Sequence, residues 1–267
     1  MYLDGMHQAS DYNRMPFAHH RIGAMPVLLH PHPESALVVG LGGGATAGAV
    51  ARYPGLTVDV VELSSAVVNG ASFFRHINFD QLQRPNVQLR VDDGCNYLLT
   101  TRKRYDIVTA DIILPRHAGA GALYSREYFQ LVRDALSPGG LVLQWNGAEG
   151  DTTYRMILRT FMSVFPHTTL WADGTLMLGS VQPFELSRTA YEQRYQDPRF
   201  RELFDWSFDT IVRTYLAGPD QIKAWLGDGP ILTDDKPAIE YFLSLPRNEP
   251  APDLTPLRSR PEDIMRP

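Results

Sequence analysis

The glycine-dense stretch Gly40-Leu-Gly-Gly-Gly-Ala45 sits between two apolar runs, residues 36–39 and 58–63, and the second run carries Glu62 near its end. A strand that stops at such a turn, passes into a helix and returns as a second strand ending in a carboxylate is a phosphate- or nucleoside-cradling unit. Glu62 lies roughly 20 residues beyond the turn, where an acid can bind both hydroxyls of a ribose. The pattern predicts an adenosine-like cofactor and leaves open which one.

The alternation continues along the chain. Residues 46–52 read as the helix after the turn, ended by Tyr53-Pro54-Gly55, and Ser64 or Ser65 starts the next helix as an N-cap. Residues 87–91 form a third strand closed by Asp92-Asp93-Gly94. Residues 105–110 form a fourth, ending at Asp111. An amphipathic helix over 125–136, the turn Ser137-Pro138-Gly139-Gly140 and a fifth strand over 141–145 follow. Strands alternating with helices imply an α/β fold with a doubly wound, mostly parallel sheet. Residues 154–165 read as helix, and 168–171 with 176–179 as an antiparallel pair around Asp173-Gly174. Residues 184–226 read as mostly helical, and 239–243 as a last strand. The chain divides into a lead-in over 1–33 with Pro26, Pro31 and Pro33 as breakers, a Rossmann-like domain over 34–245, and a disordered proline-rich tail over 246–267.

The net charge of -5 argues against nucleic acid as a partner, and Arg102-Lys103-Arg104, the one dense basic run, reads as a solvated turn. No run of about 18 apolar residues is present, so no membrane span is expected, and no signal peptide is visible. The single cysteine, Cys95, excludes an internal disulfide and suits the cytoplasm. It reads as a small buried residue. His30 and His32 flank Pro31 in an extended loop, so no metal site is expected there.

Gly40 to Ala45 also satisfies the loose dinucleotide pattern G-x-G-x-x-A. Three features favour a sulfonium nucleoside over NAD. Asp93 follows the third strand, where a carboxylate can accept from an adenine amino group. Asp111 closes the fourth strand, over a reacting carbon. Leu136-Ser-Pro-Gly-Gly-Leu141 is a helix-to-strand turn typical of class I S-adenosylmethionine-dependent methyltransferase folds. Doubly wound sheets bind ligands at these carboxyl ends. Asp93 can equally cap the helix that follows, and Asp111 can be a turn residue.

On these residues the chain resembles the spermidine synthase (polyamine aminopropyltransferase) family, from about Tyr2 to Leu143 and weakly beyond. Tyr2-Leu-Asp-Gly5 looks like the strand and turn ahead of that family's catalytic domain. Pro26-Val-Leu-Leu-His30-Pro31-His-Pro33 looks like the segment leading into its first strand. Gly40 to Ala45 falls on its glycine turn, Glu62 on its ribose-binding acid, and Asp93-Gly94 on its adenine-holding pair. Asp111 to Pro115 falls on its catalytic loop, and Leu123-Tyr-Ser-Arg-Glu-Tyr-Phe129 on the segment entering the next helix. Phe161 to His167 and Leu232-Thr-Asp-Asp-Lys-Pro237 look like a bacterial branch in which such a domain is often fused behind membrane helices.

The resemblance implies that Gly40, Gly42, Gly44, Glu62, Asp93 and Gly94 bind the nucleoside, with Asp111 catalytic; separately, His19 or His20 is a candidate base near neutral pH, beside a plain surface or loop-packing role. The donor is then decarboxylated S-adenosylmethionine or S-adenosylmethionine, without a metal, and the acceptor a small amine. A homodimer is the assembly it implies, although most of the small β domain that carries the family's usual oligomer contacts is missing. Three acidic positions depart from the pattern and read Gly43, Leu114 and His20. A polycationic acceptor needs carboxylates around it. Methyl transfer from S-adenosylmethionine and a non-catalytic nucleoside-binding domain therefore stay open beside aminopropyl transfer. Trp145-Asn146 is a candidate acceptor lining, and Thr233 to Pro237 a turn with a candidate site-lining role.

Overall fold

Runs of Val, Leu, Ile and Ala, buried on both faces, set the central strands, as a sheet covered by helices on both sides requires. The computed structural model describes residues 1–3, 6–7, 9–12, 15–110, 115, 119–202, 206–241, 245–246, 248–258 and 260–266. In chain order, β1 (Tyr2–Leu3) and β2 (Met6–His7) pair antiparallel ahead of α1 (Met15–Leu29). The nucleoside unit is β3 (Ser35–Val39), α2 (Ala45–Ala51) and β4 (Thr57–Glu62). It leads into α3 (Ser65–Ala71), α4 (Arg75–Asn78), β5 (Val87–Val91), α5 (Gly94–Thr100) and β6 (Tyr105–Ala110). Then come α6 (Arg126–Ala135), β7 (Leu136–Trp145), α7 (Asp151–Met162), β8 (Thr169–Trp171) and β9 (Leu176–Gly179). The remainder is β10 (Leu186–Ser187), α8 (Arg188–Tyr195), α9 (Pro198–Arg201), α10 (Phe208–Val212), β11 (Tyr215–Ala217), α11 (Pro219–Leu226) and β12 (Met265–Arg266).

The main sheet has eight strands in the order β11-β8-β9-β7-β6-β3-β4-β5. From β7 to β5 all neighbours are parallel, and β9, β8 and β11 extend the sheet antiparallel. The chain winds outward from β3 in one direction through β4 and β5, and in the other through β6 and β7. The switch point lies between β3 and β6, where a doubly wound sheet opens for a ligand. One core layer, under α1 and α2, holds Met25, Leu28, Ala49 and Val60. The other, under α5 to α7, holds Tyr124, Phe129, Phe161 and Phe165, with Phe129 and Phe161 edge to face at 5.1 Å between centroids.

Three expectations are corrected. Residues 1–33 contain a fifteen-residue helix, α1, with Pro26 inside it. Proline lacks the N–H that would bond the carbonyl four residues back. That carbonyl, on Ile22, accepts instead from the Thr109 hydroxyl of β6 at 3.4 Å. Residues 184–226 are mostly helical as expected, with Tyr215 to Ala217 adding an edge strand against β8. Ile239 and Glu240 lie in a turn rather than a strand, and residues 242–243 are outside the described residues.

The expected disordered tail instead packs. Leu257 and Ile264 are buried, and β12 pairs parallel with β10. Glu249 accepts from the Thr152 N–H at 2.9 Å in the first turn of α7, whose N-cap Gly150 has no side chain to do so. Sparse apolar content misleads here because the few apolar residues fall where the body of the domain offers partners. Among the described residues no helix is long and apolar enough to cross a membrane.

Candidate nucleoside and acceptor site

The loop between β3 and α2 turns through positive φ at Gly40 (87°), Gly42 (54°) and Gly44 (81°), a region that L side chains rarely adopt. A side chain built at Gly42 would meet no atom within 4 Å, so the backbone there lies open, as a turn that touches a ligand must. Gly43 is crowded instead: a Cβ would lie 3.2 Å from that of Ala9 and 3.4 Å from the Phe74 ring. Gly44 is held by Asn78, whose amide donates to the Gly43 carbonyl at 3.1 Å and to that of Ala71 at 2.9 Å.

Glu62 ends β4 beside this turn and is buried. One carboxylate oxygen accepts from the Leu41 N–H at 2.8 Å and the other from the Ser64 N–H at 2.9 Å. A carboxylate offers about four acceptor positions, so two bonds fix its plane and leave capacity for paired hydroxyls. The side chain thus locks the turn to the strand end and presents an acid at one place. Leu63, the next residue, is 70 % exposed, and Val91 ends the neighbouring β5 also exposed. These side chains give the cleft edge apolar surface of the kind a flat base covers.

Asp93 caps α5, accepting from the Asn96 N–H at 2.9 Å, and is exposed. The helix-capping alternative is therefore real, and it also fixes the carboxylate at the edge. A Cβ at Gly94 would lie 2.7 Å from Val39 Cγ1, so only glycine lets the start of α5 press against the end of β3. Cys95 is half-buried, and burial, then the charges of Asp93 and Asp234, push its pKa up to about 12, which disfavours the thiolate.

Asp111 and Leu114 lie outside the described residues. The residue before them, Ala110, pairs with Gln144 of β7, which faces Met177 on its other side. Gln144 is fully buried, and neither its amide oxygen nor its nitrogen has a hydrogen-bond partner among the described residues. Such a group costs about 1–3 kcal/mol unless something binds it. It is the last residue but one of β7, opposite Ala110 at the carboxyl end of β6. Sequence reasoning passed over it, although an amide inside the apolar run Leu-Val-Leu-Gln-Trp was the signal.

The His pair divides. His20 is buried, its Nε2 lies 2.7 Å from the Ile77 carbonyl and its ring packs on Phe79. Burial lowers its pKa, partly offset by that carbonyl, so it tethers α4 to α1. His19 is half-buried, and its carbonyl accepts from the Thr46 hydroxyl in the first turn of α2 at 3.1 Å. Asn146 does not line a pocket, since its amide donates to the Tyr154 carbonyl at 3.3 Å and its oxygen accepts from the Ala148 N–H at 3.3 Å. The Trp145 indole covers Gly147. Nδ1 of His30 accepts from the His32 N–H at 3.2 Å. Among the described residues no group of three His, Cys, Asp or Glu is placed to hold a metal ion.

Residues 15–165 match the spermine/spermidine synthase domain model. The chain is similar to a polyamine aminopropyltransferase of Aeropyrum pernix, at 34% identity over 62% of this chain and 54% of the relative. It is also similar to one of Nitrosomonas europaea, at 27% identity over 73% of this chain and 63% of the relative. The spermidine synthase structure from Thermotoga maritima superposes with a TM-score of 0.61 at 18% identity, covering 79% of this chain and 75% of that one, a likeness of fold. The chain spans about half the length of the curated relatives it matches.

Proposed function

The chain belongs to the spermine/spermidine synthase domain family, and from that premise we propose that it transfers an aminopropyl group from decarboxylated S-adenosylmethionine to an amine. The observation that carries the reading is the Glu62 carboxylate, bonded to Leu41 of the open glycine turn at 2.8 Å. Glu62 holds the ribose hydroxyls, Asp93 and the close-packed Gly94 receive the adenine, and Leu63 and Val91 give the base an apolar surface.

The sulfonium makes its neighbouring methylene carbon electrophilic. The neutral amine's lone pair forms the new N–C bond while the C–S bond breaks, and its electron pair leaves with sulfur as the neutral thioether methylthioadenosine. Asp111 orients the amine and takes the proton the nitrogen loses, and His19 is the second candidate for that proton. The amide of Gln144, which has no partner among the described residues, holds the acceptor in line, where placement supplies much of the acceleration.

Gly43 favours a second reading. It brings no carboxylate to the donor's amine, and Ala9 and Phe74 crowd that side of the turn, which suits ordinary S-adenosylmethionine and methyl transfer. Incubation of the purified chain with each donor and with 1,4-diaminobutane or longer polyamines separates the two. Chromatography for methylthioadenosine and mass spectrometry of the amine are the readouts. Aminopropyl transfer predicts methylthioadenosine from the decarboxylated donor, and a kcat at least about 100-fold lower in Asp111→Asn with nucleoside affinity kept. A methylated product from S-adenosylmethionine would replace the reading. Nucleoside binding without turnover would make the chain a non-catalytic binding domain.

A further inference from the structure

Asn78 ends α4 and is buried, with its side-chain amide bonded in three directions. The nitrogen donates to the Gly43 carbonyl of the glycine turn at 3.1 Å and to the Ala71 carbonyl at the end of α3 at 2.9 Å. The oxygen accepts from the Asp80 N–H at 3.0 Å. The two residues that follow, Phe79 and Asp80, take φ of 58° and 52°. A residue with a side chain holds that left-handed conformation only where its surroundings fix it, and such positions cluster at ligand clamps. Here His20 of α1 donates to the Ile77 carbonyl at 2.7 Å and packs on the Phe79 ring, and the Arg52 guanidinium lies 4.3 Å from the centre of that ring.

The peptide joining Gly43 to Gly44 is gripped on both sides. Its carbonyl accepts from Asn78, and its N–H donates to the Leu41 carbonyl at 2.8 Å. The Leu41 N–H donates in turn to Glu62. Asn78 and the proposed ribose acid therefore hold one turn from two directions. The approach needs glycine twice. A Cβ at Gly44 would lie 3.1 Å from that of Asn78, and one at Gly48, a helical turn later in α2, would lie 2.5 Å from the Asn78 carbonyl oxygen. With the Gly43 carbonyl drawn to Asn78, the N–H groups of Gly42 and Gly43 have no hydrogen-bond partner among the described residues. Backbone donors of this kind are what a ligand meets at a glycine turn ahead of a helix.

We infer that Asn78 is a positioning residue for the donor: it fixes the Gly43 carbonyl and so holds the glycine turn in the conformation that receives the nucleoside. The inference rests on the proposed function. Without the clamp, three successive glycines have many backbone states open to them, and apparent affinity falls with the fraction of time the competent one is occupied. The clamp acts on the donor's turn, so the loss falls on donor binding and not on kcat at saturation.

The test compares the unaltered chain with Asn78→Ala, Asn78→Asp and Arg194→Ala. The readouts are Kd for methylthioadenosine by calorimetry, kcat and donor KM with decarboxylated S-adenosylmethionine and 1,4-diaminobutane, amide hydrogen exchange at Gly44, and thermal stability. Asn78→Asp keeps the size and the bond from Asp80, but a carboxylate has no N–H to donate. Arg194→Ala unpairs the Leu28 and Pro31 carbonyls at the other end of α1 and weakens the fold away from the turn. Both Asn78 variants are expected to raise Kd and donor KM at least about tenfold, with kcat at saturating donor within about threefold. Both should also lose exchange protection at Gly44, whose N–H closes the turn. Arg194→Ala keeps Kd within about twofold. An unchanged Kd in either Asn78 variant overturns the inference. So does a rise in Kd that Arg194→Ala matches at equal loss of thermal stability, which would make Asn78 a general prop. An unaltered chain that binds none of these nucleosides removes the proposed function and the inference together, whereas the two preceding results leave that function standing.

Discussion

Burial holds His30 neutral: its pKa falls to about 4, with Asp106 and a backbone contact to Gly139 only partly opposing the loss of solvation. The unfolded chain binds that proton near pH 6.5. Between these values the unfolded state carries more protons, so stability falls as pH drops from about 6.5 towards 4 and is complete above that window. The contribution is on the order of 3 kcal/mol. Thermal unfolding of His30→Gln should therefore show a shallower loss of Tm between pH 6.5 and 4 than the unaltered chain. Equal slopes would remove His30 as the cause. The same scale shows what a sequence discloses. Gly40, Gly42 and Gly44 were legible because backbone sterics restrict their φ values to glycine. Gln144 shows in the sequence only as an amide inside an apolar run, and its lack of a partner among the described residues depends on chain far away from it.

Element by element, legibility follows how local the cause is. The parallel strands announce themselves as apolar runs closed by Gly or Asp, and β8 and β9 by the Asp173-Gly174 turn, where Ala172, Asp173 and Gly174 all take positive φ. Helix α1 is hidden, because Pro26 reads as a breaker and its compensation comes from Thr109, a residue of β6. The C-terminal end of α1 is likewise completed from outside. The buried Arg194 of α8 donates to the Leu28 carbonyl at 2.6 and 3.2 Å and to that of Pro31 at 2.7 Å. Removing this guanidinium leaves those carbonyls unpaired at a buried helix end. Arg194→Ala should lower unfolding free energy by about 2–4 kcal/mol, read as a lower denaturant midpoint at unchanged slope. A loss below about 0.5 kcal/mol would mean that water replaces the arginine.

At the scale of the whole molecule, the strand order brings residues far apart in sequence to one edge. Gly42, Glu62 and Asp93 follow or end β3, β4 and β5, and Gln144 lies one residue before the end of β7; these strands are parallel, so their carboxyl ends face the same way. The first three could be read from local pattern, since each ends its own apolar run. Their convergence could be expected only once the alternation implied a parallel sheet. The central claim is that this edge is built around a nucleoside held by Glu62. The most direct test is calorimetric titration of the chain and of Glu62→Gln with methylthioadenosine, decarboxylated S-adenosylmethionine and S-adenosylmethionine. Glutamine keeps the volume but turns an amide donor towards the N–H of Leu41 or Ser64. The account predicts that methylthioadenosine and the decarboxylated donor bind the unaltered chain, and that Kd rises at least about tenfold in the variant, a loss of about 1.4 kcal/mol. No binding of any of the three, or binding that Glu62→Gln leaves untouched, would contradict it.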